Sequence, residues 1–166
     1  MRKQVVLLPL FFVFSLVSCS DLNLAIPAEA TNRVIKSGQS FGMCVGPCYE
    51  EVIYSGSKGQ FVVRETPFRG GNGPATTFTT DFVLSQNQMN ELYQLVDFKS
   101  FVTIDTLLGC PDCADGGKEW IEIIDGNKRH RVTFEYGDDL PGQEKLLDLL
   151  RKERQTLRKK FEASGK

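Results

Sequence analysis

Short turns separate neighbouring strand signals in this chain, and they limit how its strands can pair. Glu51 to Ser55 and Gln60 to Thr66 are rich in Val, Ile, Tyr and Phe and flank Gly56-Ser57-Lys58-Gly59, which is typical of a hairpin turn. Thr76 to Leu84 alternates apolar and polar residues, as a half-buried strand does. Connections this short join antiparallel neighbours, because a parallel pair needs a crossover of a dozen residues or more.

A second hairpin is predicted for residues 118–136, with Gly126-Asn127 as its turn. This turn pairs Ile121 with Val132, which are both apolar. At the next position it pairs the acidic Glu122 with the basic Arg131. The alternative turn, Asp125-Gly126, would set Ile121 opposite a histidine. We therefore expect the first register.

The helix between the hairpins has a clear start. Ser85 is placed to cap it, and Gln88 completes a capping box. Leu84 and Met89 are positioned as a hydrophobic staple. The apolar stripe continues with helical spacing to Val96, which predicts one face packed against the sheet.

A last helix is predicted from about Pro141. Its apolar side is formed by Leu146, Leu149, Leu150, Leu157 and Phe161. Glu153 and Arg154 interrupt this stripe, so we expect the second half of the helix to project into solvent. The order β-β-β-α-β-β-α predicts an α+β fold, an antiparallel sheet of four to five strands with two helices on one face.

The N-terminal segment resembles a secretory signal. Arg2 and Lys3 precede an uncharged run from Val5 to Val17, and Leu16-Val17-Ser18-Cys19 closes it. The run is too short for a membrane span, which needs about 20 apolar residues. The last four residues look like a lipobox, the site where bacteria attach lipid to a cysteine and cut the chain before it.

Residues 1–18 are therefore predicted to be a lipoprotein signal peptide, residues 19–36 a lipidated tether and residues 37–166 a single α+β domain. Several acyl chains on Cys19 would hold the protein on a membrane firmly, whereas one chain binds only reversibly. Ser20 stands where many inner-membrane lipoproteins carry aspartate, which favours the outer membrane of the bacterial cell envelope.

Composition narrows the classes of partner. The chain is 41% hydrophobic and 25% charged, as globular domains are. Its net charge is −1, and an exported, mildly acidic protein lacks the concentrated basic face that nucleic-acid binding requires. We expect the membrane and an envelope protein as partners, and no nucleic acid.

Four cysteines remain after the lipidated one: Cys44, Cys48, Cys110 and Cys113. An even number in an exported protein indicates disulfides, but four cysteines allow three pairings. Closing a loop of four or five residues contributes about 2 kcal/mol, and a long-range link about 4.4 kcal/mol, on the chain-entropy model. Stability favours the long links and proximity along the chain favours the local ones, and we lean toward local pairs.

Other chemistry for these cysteines stays open. Cys110 and Cys113 have the spacing of a thiol-disulfide redox pair, although Asp112, Asp115 and Glu119 disfavour a thiolate there. Two close cysteine pairs brought together also satisfy tetrahedral zinc, and the same acidic residues offer a few oxygen atoms to calcium. We expect no metal and no cofactor, because the compartment oxidises thiols and calcium needs six to eight oxygens.

No catalytic residue is predicted. His130 is the single histidine, and we expect it to be a strand residue at the edge of the core. Asp81, Glu119 and Glu122 are interpreted as members of solvated strand faces. The basic residues of the last helix are interpreted as a solvated face with i,i+4 partners such as Asp148 with Lys152, with anionic lipid headgroups or an acidic partner as alternatives.

The segment Cys44-Val45-Gly46-Pro47-Cys48-Tyr49, followed by the two hairpins and the capped helix, resembles a family of uncharacterised bacterial envelope lipoproteins with a Cys-x-Gly-x-Cys start. The similarity covers about Ser40 to Leu150. This chain has Tyr49 where the family motif has proline and Glu51 where it has tyrosine. The order of strands and helices is also similar to that of small inhibitors of thermolysin-like metalloproteases, a likeness of architecture alone.

These observations predict a lipid-anchored, non-enzymatic binding module of the cell envelope. Protease inhibition is one specific form, with the Arg69 to Pro74 loop or the Cys110 to Gly117 loop as the contact. The competing hypothesis is a thiol-disulfide redox protein that uses Cys110 and Cys113.

Overall fold

A computed structural model describes residues 32–67 and 74–165. In this part of the chain, six antiparallel strands form one sheet in the order β4-β3-β2-β1-β5-β6, and three α-helices accompany it. The strands are β1 Val34–Ser40, β2 Gly46–Ser55, β3 Lys58–Thr66, β4 Thr76–Val83, β5 Lys118–Asp125 and β6 Lys128–Glu135. The helices are α1 Gln86–Gln94, α2 Phe98–Phe101 and α3 Glu144–Ala163. The antiparallel α+β architecture is confirmed, but the predicted four to five strands and two helices are too few. The predicted signal peptide, the predicted lipidation site at Cys19 and most of the predicted tether lie outside the described residues.

The strand that the prediction missed, β1, lies inside the sheet between β2 and β5. It begins at Val34, so residues 34–36 belong to the sheet and not to the predicted tether. Ile35 and Ser37 are buried on one side of the strand, and Gly38 lies under the ring of Trp120 on the other. A strand this poor in apolar residues gives little alternation to detect, which is why the predicted domain began three residues late.

Both predicted hairpins are confirmed. The first turns on Gly56 and Ser57, with Gly56 at φ 57°, a conformation that glycine adopts at no steric cost. In the second, Ile121 pairs with Val132, as the Gly126-Asn127 turn predicts, and the alternative register is wrong. Hydrophobic pairing across the strands therefore set the register.

The apolar core lies between one face of the sheet and the helices α1 and α3. The α1 capping box between Ser85 and Gln88 is present, and Leu92 and Tyr93 of its stripe are buried. The α3 helix begins at Glu144, three residues after the predicted start. Its second half does not project into solvent: Phe161 is 6% exposed and packs against the rings of two strand residues, Phe61 and Phe78.

The opposite face of the sheet carries a small packed cluster around Trp120. The indole is 1% exposed and donates to the carboxylate of Glu51 at 3.1 Å. The guanidinium of Arg131 lies 4.6 Å from the ring centroid, a cation–π distance. Gly38 leaves the space that the ring fills, because a Cβ there would overlap the indole.

The two ends of the sheet differ. We call the end where β1 begins, at Val34, the tether end; it carries the turns Gly56-Ser57 and Gly126-Asn127. We call the end where β1 stops, at Ser40, the distal end; it carries the loops of residues 41–45 and 109–117.

Candidate functional site

Both cysteine pairs close locally at the distal end. Cys44 is joined to Cys48 with 5.6 Å between their Cα atoms, and Cys110 to Cys113 with 5.5 Å. These separations suit a disulfide. The expected local pairing is confirmed and the long-range links are wrong, since each cysteine is joined to its neighbour along the chain.

The first disulfide clamps the connection between β1 and β2. Phe41 N–H donates to the carbonyl of Cys48 at 3.0 Å across the base of the loop. The pairing of β2 with β3 shifts register at Cys48, so the strand bends where the ring closes. Met43 and Val45 stand out from this clamped turn, 51% and 60% exposed. The sequence thus builds a rigid turn with two apolar side chains in solvent.

The second disulfide lies in a loop with unusual backbone angles. Asp112, Ala114 and Asp115 all have positive φ, which is uncommon outside glycine and is costly for alanine. The loop closes on itself where Asp112 N–H donates to the carbonyl of Gly117 at 3.0 Å. The disulfide from Cys110 to Cys113 therefore spans a segment whose backbone is held away from its ordinary conformation.

Asp112 connects the two clamped loops. Its carboxylate accepts a hydrogen bond from Gly42 N–H at 3.2 Å and lies 3.5 Å from the Lys118 ammonium. Phe41 also packs edge-on against Tyr136, with ring centroids 4.8 Å apart. The clamped loops and the segment after β6 therefore form one continuous surface, and Asp112 has a structural role there.

A polar groove opens at the same end, between α3 and the sheet. Its volume is about 660 Å³, within the range of small-molecule pockets. Two strand glutamates, Glu50 and Glu119, lie on its floor, 2% and 1% exposed. The lining is completed by Gln39, Tyr136, Gly137, Arg151, Lys152, Arg154, Gln155, Arg158 and Glu162.

Arginines of α3 neutralise the buried glutamates. Arg151 and Arg154 both contact the carboxylate of Glu119, and Arg158 contacts that of Glu50. Arg154 also donates to side-chain oxygens of β1, at 3.0 and 3.1 Å. Burial lowers the pKa of the Arg154 guanidinium, and the neighbouring Glu119 opposes that shift. The network fixes where α3 lies on the sheet.

This network corrects two predictions. Arg151, Arg154 and Arg158 contact buried glutamates of the sheet, so the solvated interpretation of the basic helix is wrong for these three. The predicted i,i+4 pairing does occur between Arg158 and Glu162, at 2.7 Å, and Lys152, Lys159 and Lys160 are exposed. Glu119 is likewise buried and not part of a solvated strand face. Both errors have the same cause. A charged residue is predicted to be exposed unless its partner of opposite charge, here distant along the chain, is known.

Glu122 is also buried, on the opposite face of the sheet. Its predicted position on a solvated strand face is therefore wrong, as it is for Glu119. Its carboxylate lies 3.1 Å from the Lys36 ammonium and contacts Arg129. Burial raises the pKa of Glu122, but Lys36 and Arg129 together outweigh it and hold the pKa below its usual value. Asp81 is exposed, as expected, and accepts from Gln60 at 3.0 Å.

His130 takes the predicted position at the edge of the core. One ring nitrogen lies 2.8 Å from the carbonyl of Ile104, and the ring meets Phe101 edge-on at 5.5 Å. These contacts account for the histidine as a packed strand residue. The prediction of a strand residue at the edge of the core is confirmed.

No protein-family model matches this chain, and no curated protein matches its sequence. The resemblance to envelope lipoproteins, made on the Cys44 to Tyr49 motif, therefore stays a prediction. Within residues 32–67 and 74–165, no helix is both long and apolar enough to cross a bilayer.

Proposed function

We propose that this protein is a non-enzymatic binding module of the bacterial cell envelope, anchored by acyl chains on Cys19, whose distal end contacts an envelope protein. One observation carries the proposal: the chain enters the sheet at the end opposite the two clamped loops. An anchor that precedes β1 leads to the tether end, which leaves the distal end to face away from the membrane.

The lengths involved fit this arrangement. The seven residues of β1 separate the two ends of the sheet by about 20 Å at 3.3 Å per residue. The stretch between Cys19 and Val34 reaches at most about 50 Å. The domain can therefore stand clear of a lipid surface with its distal end outermost.

The chemistry of the distal end suits binding. The disulfides hold the exposed Met43 and Val45 and the 110–117 loop in fixed positions before a partner arrives, which reduces the entropy lost on association. The adjoining groove offers guanidinium donors beyond those its glutamates use, since Arg151 and Arg158 are each 25% exposed. The distal end thus presents apolar side chains and hydrogen-bond donors next to each other.

Site-specific crosslinking tests which end makes contact. A photo-reactive amino acid replaces Val45 at the distal end or Asn127 at the tether end, both exposed, in full-length protein in envelope membranes. We expect one discrete adduct from position 45 and none from position 127. Adducts from position 127 alone, or from neither position, would contradict the proposal.

Protease inhibition is the specific form of this function to be tested first, with the Cys110 to Gly117 loop as the contact. The other predicted contact, the Arg69 to Pro74 loop, lies largely outside the described residues. Full-length protein is assayed against envelope proteases, and failure to slow any of them removes this form. The crosslinking outcome would then still stand on its own.

One observation favours the second candidate function, thiol-disulfide exchange. Cys110 and Cys113 are both exposed, so a substrate thiol can reach the bond. This hypothesis predicts catalysed insulin reduction that disappears in Cys110→Ser. A rate of zero in the wild-type protein excludes it.

A further inference from the structure

The two edge strands of the sheet, β6 and β4, differ in whether another segment forms backbone hydrogen bonds with their outer side. Residues 106–108 run along the outer side of β6, where Leu108 N–H donates to the carbonyl of Thr133 and Thr133 N–H donates to that of Thr106, both at 2.9 Å. At the other edge, β4 is the last strand. In the described part of the chain, no backbone hydrogen bond reaches its outer side.

The hairpin turn fixes which groups of β4 point outward. In a two-residue hairpin, Ser55 and Lys58 form a hydrogen-bonded pair, so the odd-numbered residues of β3 bond to β4. Their partners on β4 are even-numbered, and Leu84 N–H, donating to Ser57 at 2.8 Å, agrees with this alternation. The outward N–H and C=O groups belong to Thr77, Thr79, Asp81 and Val83.

Within residues 32–67 and 74–165, nothing gives this edge the usual protection of an edge strand. Natural edge strands carry lysine, proline or a bulge that discourages pairing with another chain. β4 contains one charge, Asp81, and no lysine, proline or register shift. Val83 is 76% exposed, and Phe78 and Phe82 are only half-buried. The edge is therefore a template for one more strand.

We propose that β4 pairs antiparallel with β4 of a second copy of this chain, with Thr80 at the two-fold axis. The order of residues is self-complementary in this register. The pairs are Thr77 with Val83, Phe78 with Phe82, Thr79 with Asp81, and Thr80 with Thr80. Four hydrogen-bonded pairs then supply about eight backbone hydrogen bonds.

Neighbouring registers are worse. Residues opposite each other in a continuous sheet point to the same face. Phe78 faces the helices, so the register can shift only in steps that again place it opposite a residue of that face. An axis at Asp81 would oppose two carboxylates. An axis at Thr79 would set each phenylalanine against a threonine. With the axis at Thr80, aromatic rings meet and each Thr79 hydroxyl is opposite an Asp81 carboxylate.

A cysteine scan of the full-length protein in membranes tests the register. Thr80→Cys places two sulfurs in a non-hydrogen-bonded pair with Cα atoms about 4.5 Å apart, a distance a disulfide accepts. We expect mild oxidation to convert most of this variant to a disulfide dimer. In the control, Thr77→Cys, the two cysteines are offset by about 20 Å along the strands and no dimer forms.

Three results of this scan overturn the proposal: no dimer from Thr80→Cys, equal dimer from Thr77→Cys, or a bond from Thr80→Cys to a different protein. The last result would show that the edge of β4 pairs with a strand of another protein.

A second variant adds Thr79→Pro to Thr80→Cys. Proline there removes an outward N–H but no bond to β3, so the fold is retained. Two bonds lost per dimer should weaken association about 30-fold, and undiminished crosslinking in this variant also overturns it.

Discussion

Replacing Arg154 with methionine tests whether buried charge holds the second half of α3 on the sheet. Arg154 is 4% exposed, and its guanidinium contacts Glu119, Ser37 and Gln39. Methionine keeps much of the aliphatic length but removes every donor. Breaking a buried ion pair from one side costs about 3–5 kcal/mol, because the remaining charge is left without its partner. We expect the lower end, about 3 kcal/mol, because Arg151 still contacts Glu119.

Urea unfolding followed by fluorescence measures this loss, and Trp120, the single tryptophan, reports it. With a slope of about 2 kcal/mol per M, a loss of 3 kcal/mol lowers the unfolding midpoint by about 1.5 M. The matched control is Lys159→Met, an exposed change on the same helix, for which we expect a free energy within about 0.5 kcal/mol of the wild type.

A double variant separates the lost partner from lost packing. Arg154→Met with Glu119→Met removes both buried charges, and apolar replacement of a buried pair is often neutral or better. Arg151 loses Glu119 in this variant, but it is 25% exposed to water and still donates to the carbonyl of Asp138. The double variant should therefore be more stable than Arg154→Met alone. A free energy of unfolding for Arg154→Met within about 0.5 kcal/mol of the wild type, or a double variant less stable than Arg154→Met, would show that the buried ion pair does not hold α3 in place.

Two further predictions concern the face of the sheet opposite the helices. Gly38→Ala should cost about 1–3 kcal/mol by overpacking and shift the emission of Trp120 to the red, because a Cβ would overlap the indole and lie 2.6 Å from a carbonyl oxygen; unchanged emission and midpoint would contradict this. The pKa of Glu122 is lowered in the folded protein. Its contribution to the free energy of unfolding is therefore complete above the ordinary glutamate pKa of about 4.3 and is lost as the pH falls through the pKa of the folded state. Unfolding free energy should therefore fall less steeply below about pH 4.3 in Glu122→Gln than in the wild type, and equal slopes in the two proteins would contradict it.

Local patterns predicted much of the fold. The capping box at Ser85 and the Gly126-Asn127 turn need only a few neighbouring residues, and both are present. β1 was not predicted because its burial depends on residues of other elements: Ser37 accepts a hydrogen bond from Arg154 of α3, and Gly38 lies under the ring of Trp120 of β5. A strand defined by its neighbours carries no periodic signal of its own.

The groove was missed for a related reason. Arg151, Arg154 and Arg158 follow the helical spacing of one face, and that face borders the apolar stripe of α3. Their position beside the stripe was a signal available in the sequence. What the sequence lacked was the location of Glu50 and Glu119, which come from strands far apart along the chain and meet only in the folded sheet.

Mass spectrometry of the intact protein and its peptides, extracted from the envelope without reduction, would show whether the protein is lipid-anchored and clamped by two local disulfides. We expect a mature chain that begins at an acylated Cys19 and peptides joined from Cys44 to Cys48 and from Cys110 to Cys113. A chain that keeps residues 1–18 without lipid, or four free thiols, would contradict it.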